Sequence, residues 1–433
     1  MNVCVFGLWH LGSVTAACVA EHFPTVGLDF DSTTVADLNE GKPPILEPGL
    51  DQLTSQGLSR GTLRFTDCVP NAVGEADLVW VTFDTPVDED DRADTQYVER
   101  QIASIFPHLR PGTVLLISSQ MPVGSTRQLE AAYREQYPDG DVHFAYSPEN
   151  LRLGKALTAF RQPERIIVGT TDAEGRQRLE TLLSPFCKNL IWMSIESAEM
   201  TKHALNAFLA SSIAFINEIA VICEDTGADA KHVEMGLKTD ERIGPRAYLG
   251  AGGPFAGGTL ARDISFLTSK AATLGVAVPL LESVRLSNNL HKNWPRRKLE
   301  ALLGNLTGKR VAVLGLTYKP GTNTLRRSAA IELCRWLFDQ GAQVTAFDPV
   351  VRDLPVELSR IIVISASAVE ALRNCDAAVV TTEWPLFREL AAADFIDNMK
   401  NPNVLDANRF LEKKLASAPN IRYIAVGKPW GVA

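Results

Sequence analysis

The stretch from Asn2 to Asp29, NVCVFGLWHLGSVTAACVAEHFPTVGLD, carries the decisive order: a short apolar strand, a glycine turn, a helix, and a second strand ending in an acid. The same order returns from Arg310 to Asp348, RVAVLGLTYKPGTNTLRRSAAIELCRWLFDQGAQVTAFD. Two parallel strands cannot be joined by a tight hairpin, so a strand–helix–strand run implies a crossover and a parallel sheet. Further apolar runs extend each half: LVWVTF, VLLISS, HFAYSP and RIIVGT in the first, IIVIS and AAVVTT in the second. The pattern predicts an α/β protein with two Rossmann-like, doubly wound parallel-sheet domains at 1–195 and 305–433.

Between them, residues 196–226 carry Met200, Leu205, Phe208, Leu209, Phe215, Ile216, Ile219 and Ile222 at helical spacing with no proline. This predicts a long central helix joining the domains, within a helical region at 196–304. It serves either as a structural spine or as a face for a second subunit. The remaining composition is ordinary: 433 residues, 45% hydrophobic, 22% charged, net charge −8. An acidic balance gives no general attraction to nucleic acid or anionic membrane, so an anionic substrate would need locally placed Lys and Arg. The seven cysteines are scattered without metal-ligand spacing and read as reduced, buried thiols of a cytoplasmic protein. No leader and no segment long enough to span a bilayer is expected.

The first glycine turn reads Gly7-Leu8-Trp9-His10-Leu11-Gly12. In a dinucleotide site the first glycine makes the turn, the middle one admits the pyrophosphate, and the last lets helix pack on strand. Trp9 holds the middle place, where an indole blocks the phosphate unless it swings outward. Asp29 stands where an acid accepts the adenosine ribose hydroxyls and favours NAD over NADP. Taken alone, this interrupted fingerprint fits a cofactor turn or a plain structural one.

The surrounding text resembles the UDP-glucose/GDP-mannose dehydrogenase family. Asn39 to Leu50 (NEGKPPILEPGL) is similar to "NxGxxPIxEPGL", and Phe83–Pro86 followed by Ala93–Val98 to "GTP…AD..YV". Ser119-Gln120-Met121-Pro122-Val123-Gly124 resembles "STVPVG", and Ser147–Gly154 (SPENLRLG) resembles "NPEFLREG". Asp240–Gly244 resembles "DxRIG", and Gly315–Ser328 resembles "GLxFKPxTDDxRxS", the part that holds the nucleoside diphosphate. The resemblance implies NAD as cofactor, with Gly7, Trp9, Leu11, Gly12, Asp29, Thr85 and Gln120 around it. It implies a nucleotide-sugar substrate held by Leu151, Arg152, Arg242, Tyr248, Phe255, Gly257, Lys319 and Arg326, with the Arg242 position reaching a substrate across a homodimer. Lys202 and Asn206, at i and i+4, share one helix face. The resemblance gives them the sugar's reacting oxygen, beside Glu149 and Asp263. On residues alone, a solvated Lys and a packing Asn is the preferred reading, and the flanking matches turn it towards the site.

The departures fall on the chemistry. Counting back from Asp263 in the run Gly250–Asp263 against "FGGSCFPKD", Thr259 stands in the place of the nucleophilic cysteine, and Leu153 in the place of a second Glu. The family oxidises the C6 alcohol twice, the second time through a cysteine thioester. A thiol ionises near pH 8.5, whereas an unactivated threonine hydroxyl lies many units higher. The expectation is an NAD-dependent oxidoreductase acting on C6 of a UDP-sugar, UDP-glucose by default, without thioester chemistry, stopping at the aldehyde or passing through its hydrate. A nucleotide-sugar-binding relative without net oxidation, or a redox-neutral epimerase, would also tolerate the missing thiol.

Overall fold

A computed structural model describes residues 1–86, 88, 93–149, 151, 153–256 and 258–429. The chain forms two compact units: residues 1–205 with 265–270, and residues 206–264 with 271–433.

The first unit is built on an eight-stranded sheet. Its strands are β1 (Val3–Phe6), β2 (Thr25–Leu28), β3 (Leu63–Thr66), β4 (Leu78–Val81), β5 (Thr113–Ile117), β6 (Val142–Tyr146), β7 (Ile166–Gly169) and β8 (Leu190–Met193). They lie in the order 3-2-1-4-5-6-7-8, so the direction of winding reverses between β1 and β4. All neighbours pair in parallel except β6 and β7, which meet antiparallel at Tyr146 and Gly169. The central strands β1, β4 and β5 are almost wholly apolar and fully buried because both faces are covered, whereas the edge strand β3 carries an exposed Arg64. In β1, Val3 and Val5 enter one core cluster while Cys4 and Phe6 enter the other.

The second unit repeats the plan with six strands: β9 (Arg310–Leu314), β10 (Gln343–Phe347), β11 (Ile362–Ile364), β12 (Ala377–Val380), β13 (Asn403–Asp406) and β14 (Arg422–Ile424). Their order, 11-10-9-12-13-14, is the Rossmann order again, and every pairing is parallel. In folds of this order ligands are taken at the reversal point, at the carboxyl ends of the two central strands. The expected second-half helical stretch resolves into three helices, Thr259–Leu274, Pro279–His291 and Trp294–Leu303.

The central helix runs from Ile195 to Thr226, beginning in the first unit and continuing into the second. Contrary to expectation, it is long and apolar enough by length and composition to cross a bilayer. Its hydrophobic residues are spread among alanines and polar residues rather than in one run, so simple inspection passes over it. Along it Ala198, Ala207, Ala210, Ala214, Ile216 and Ala220 are buried, while Met200, Leu205, Phe208, Phe215 and Ile222 form an exposed apolar row. The buried side also carries Glu199, Lys202, His203, Asn206, Asn217 and Glu224. These polar groups are hydrogen-bonded within the fold, as buried polar groups must be.

Candidate active site

The two glycine turns are built alike. Gly7 and Gly315 both adopt positive φ, 97° and 93°, and each donates its N–H to the last residue of the neighbouring strand, Leu28 or Phe347. A β-carbon on Gly7 would lie 2.8 Å from the Phe83 ring, and one on Gly12 would lie 1.7 Å from the Gly7 carbonyl oxygen. Both positions therefore exclude any side chain. Thr82 and Thr381 occupy equivalent places, each donating its hydroxyl to the carbonyl of the turn glycine.

The acids that end β2 and β10 behave differently. In the second unit, Asp348 Oδ2 accepts from the N–H groups of Leu316 and Thr317, from the Thr317 hydroxyl and from Trp384 Nε1. That carboxylate is buried and committed to its own turn. Asp29 accepts from Leu8 N–H through Oδ2 and from Asp31 N–H through Oδ1, and its side chain remains half-buried. Trp9, in the place of the middle glycine, is 51% exposed. The first turn thus retains its first and last glycines, a half-buried acid and a helix N-terminus, with Trp9 in the middle glycine's place. The second turn has spent its acid internally. Thr85 and Gln120 also come together: the buried Thr85 hydroxyl donates to the Gln120 carbonyl at 2.6 Å.

Beside this turn a cleft of about 530 Å³ is lined by Leu11, Trp80, Ser118, Glu149, Leu151, Phe160 and Leu205 among others. Glu149 sits on its wall. The buried Lys202 ammonium bonds the Glu149 main-chain carbonyl and lies 3.6 Å from Glu149 Oε1, while Glu149 Oε2 accepts from Leu151 N–H. In the second unit Asn206 Nδ2 donates to Asp263 Oδ2, both buried. Lys202 and Asn206 were expected to share a face. They do lie one turn apart on the helix, but each has its own carboxylate partner.

Thr259 is exposed and is the first residue of its 16-residue helix, following Gly258 at φ 103°. The glycine-rich run before it is not slack. Asn217 accepts from Gly252 N–H and donates to the Gly253 carbonyl; Asn408 accepts from Gly253 N–H at 2.6 Å. Asn288 both accepts from Phe255 N–H and donates to its carbonyl, at 2.9 and 2.8 Å. His291 Nε2 meets the Gly252 carbonyl at 2.7 Å. These four side chains were not singled out from sequence. Each is an isolated polar residue on an otherwise unremarkable segment, and only packing brings them to one backbone.

Of the remaining site candidates, Phe255 is buried, Tyr248 is exposed, and the exposed Arg242 pairs with Asp240 at 2.7 Å. Lys319 and Arg326 are exposed on the loop after the second glycine turn. Arg152 and Gly257 lie outside the described residues.

His291 gives the loop a pH dependence. Burial holds its imidazole below the ordinary value, outweighing the pull of its bond to Gly252. The folded state therefore prefers the neutral ring, while the unfolded chain takes up a proton as pH falls below about 6.5. Its contribution is present above that pH and is lost as pH drops towards the lowered folded value. Wild type should lose stability relative to His291→Gln between pH 7.5 and 5.5 in urea titrations; a constant difference would refute this.

Two Rossmann sheets, the first with a glycine turn and an acid at the end of its second strand, make a nucleotide-binding fold. Residues 1–187, 196–290 and 312–413 match, in turn, the NAD-binding, central and UDP-binding domains of one family. The chain belongs to the UDP-glucose/GDP-mannose dehydrogenase family, and its cofactor is NAD. It is 34% identical to a UDP-glucose 6-dehydrogenase of Rhizobium meliloti (strain 1021), over 99% of this chain and 100% of that one. It is 32% identical to the UDP-glucose 6-dehydrogenase TuaD of Bacillus subtilis (strain 168), over 99% and 93%. Among solved structures, a UDP-glucose dehydrogenase from Pyrobaculum islandicum superposes with a TM-score of 0.85 at 28% identity, covering 99% of this chain and 98% of that one. By family it is an NAD-dependent nucleotide-sugar dehydrogenase.

Proposed function

We propose that this chain oxidises C6 of a UDP-sugar, with UDP-glucose the first to try, and releases the aldehyde. NAD, when bound, takes up the hydride, so that RCH2OH and NAD⁺ give RCHO, NADH and H⁺. The protein must hold the alcohol oxygen, stabilise its developing negative charge and remove its proton. Lys202 supplies the cation and Asn206 an amide donor. Glu149 accepts the proton at Oε1, since its Oε2 is already bonded to Leu151 N–H. Asp263 orients the Asn206 amide. Leu151, Arg152, Arg242, Tyr248, Phe255, Gly257, Lys319 and Arg326 are assigned to the substrate, with Lys319 and Arg326 opposing its diphosphate charge.

The observation that carries the one-step reading is the fate of the thiols. The second unit's cysteines, Cys223, Cys334 and Cys375, are all buried, and burial raises each thiol, Cys334 to about 12. None suits attack on an aldehyde, and Thr259 stands where the motif count puts the nucleophile. Leu153, in place of a second Glu, removes an acid–base group as well. The functional division is proposed as 1–195 for cofactor, 196–304 for the central region and 305–433 for the nucleotide sugar. The exposed row Met200, Leu205, Phe208, Phe215 and Ile222 is proposed to meet a second copy.

The purified protein with NAD and UDP-glucose should give one NADH per sugar consumed, with an aldehyde captured by semicarbazide. Two NADH per sugar and a uronic acid would refute the one-step reading. Thr259→Cys combined with Leu153→Glu should move the ratio towards two, because a thiol at a helix N-terminus is readily ionised.

A further inference from the structure

We infer that Glu47 is a positioning residue: one buried carboxylate that ties the cofactor turn to the loop carrying Glu149. Its side chain is 1% exposed. Glu47 Oε1 accepts from Ala156 N–H at 2.8 Å, and Oε2 accepts from Gly154 N–H at 2.7 Å and faces His10 Nε2 at 3.3 Å. His10 is the first residue of the helix that leaves the Gly7–Gly12 turn, immediately after Trp9. Gly154 and Ala156 close the loop that starts at Glu149, and Ala156 opens the next short helix.

That loop is fastened at both ends. Lys202 grips Glu149 by its carbonyl and its carboxylate, and Glu149 in turn holds Leu151 N–H. Glu47 grips the other end, 107 and 109 positions away in sequence. The same carboxylate reaches the dinucleotide turn through His10. A shift of either partner is therefore passed to the other through a single group, which fixes the distance between cofactor turn and base-bearing loop. Reacting groups must be aligned closely for hydride transfer, so loss of this registration lowers rate more than it lowers stability. The inference rests on the role proposed for Glu149.

The test uses the full chain. Glu47→Gln keeps the shape but offers one acceptor oxygen in place of two and turns an NH2 towards a backbone donor. It should lower kcat/KM for UDP-glucose about tenfold or more, weaken NAD binding measured by calorimetry, and speed amide hydrogen exchange at Gly154 and Ala156. His10→Phe should weaken NAD while leaving exchange at those two amides unchanged; this partly exposed site keeps the test readable if Glu47→Gln folds poorly. A Glu47→Gln protein that melts earlier yet keeps both KM values, kcat and the exchange rates would overturn the inference, since a merely structural role predicts that result. If wild type turns over no nucleotide sugar, the proposed reaction fails, while NAD affinity and amide exchange still judge Glu47.

Discussion

Replacing Lys202 by Met is expected to cut kcat for NADH formation roughly 10²- to 10³-fold, the usual cost of losing one preorganised donor to a developing oxyanion. The ammonium is buried against the Glu149 carbonyl and carboxylate, so its direction is fixed before substrate arrives. Methionine matches most of the aliphatic stem and avoids a cavity, so the protein should fold. Glu149 loses its ion pair but keeps the Leu151 N–H and part of its contact with water. Initial rates at saturating NAD and UDP-glucose, read beside thermal melting, decide the point. A drop of less than tenfold would show that Lys202 acts only as a structural clamp.

Asp263→Ala should act on stability and rate together. Asp263 is fully buried, and its Oδ2 takes the amide of Asn206. Removing it strands a buried donor, at a cost of about 1–3 kcal/mol. It also frees the Asn206 amide to turn away from the sugar oxygen, for a further fall in kcat of roughly a hundredfold. Asp263→Asn preserves volume and a hydrogen-bonding partner, so it should melt near wild type yet stay slow. If Asp263→Asn is fully active, the carboxylate serves the fold alone and Asn206 needs no charged partner.

The strand–turn–helix pattern of residues 2–29 and 310–348 was legible because both faces of each sheet are covered at its centre, which makes β1 and most of β9 an apolar run. The long central helix was legible for a different reason, the helical spacing of its apolar residues over a run without proline. Pairing was less legible. Spacing put Lys202 and Asn206 together, and the fold gives Lys202 to Glu149, 53 positions away, and Asn206 to Asp263, 57 positions away. The length of the central helix was legible, but its apolarity was not, because its large apolar residues are interleaved with Ala, Ser and Asn.

The sequence by itself determined two Rossmann units, the place of the first glycine turn and the family resemblance, because those depend on local periodicity and on ordered motifs. The sequence also shows that the second turn is no dinucleotide fingerprint, since Lys319 and Pro320 stand in the glycine places; only the tertiary structure shows how the two acids are used. Asp348 is buried and takes four donors on Oδ2, whereas Asp29 is half-buried and takes one donor on each oxygen. Tertiary structure also decided that the run before Thr259 is held rather than loose. Its fastenings, from Asn217, Asn288, His291 and Asn408, span 33 to 155 positions of chain. Hydrogen bonds between distant side chains and backbone leave no periodic trace in sequence; they exist only once packing has brought the partners together.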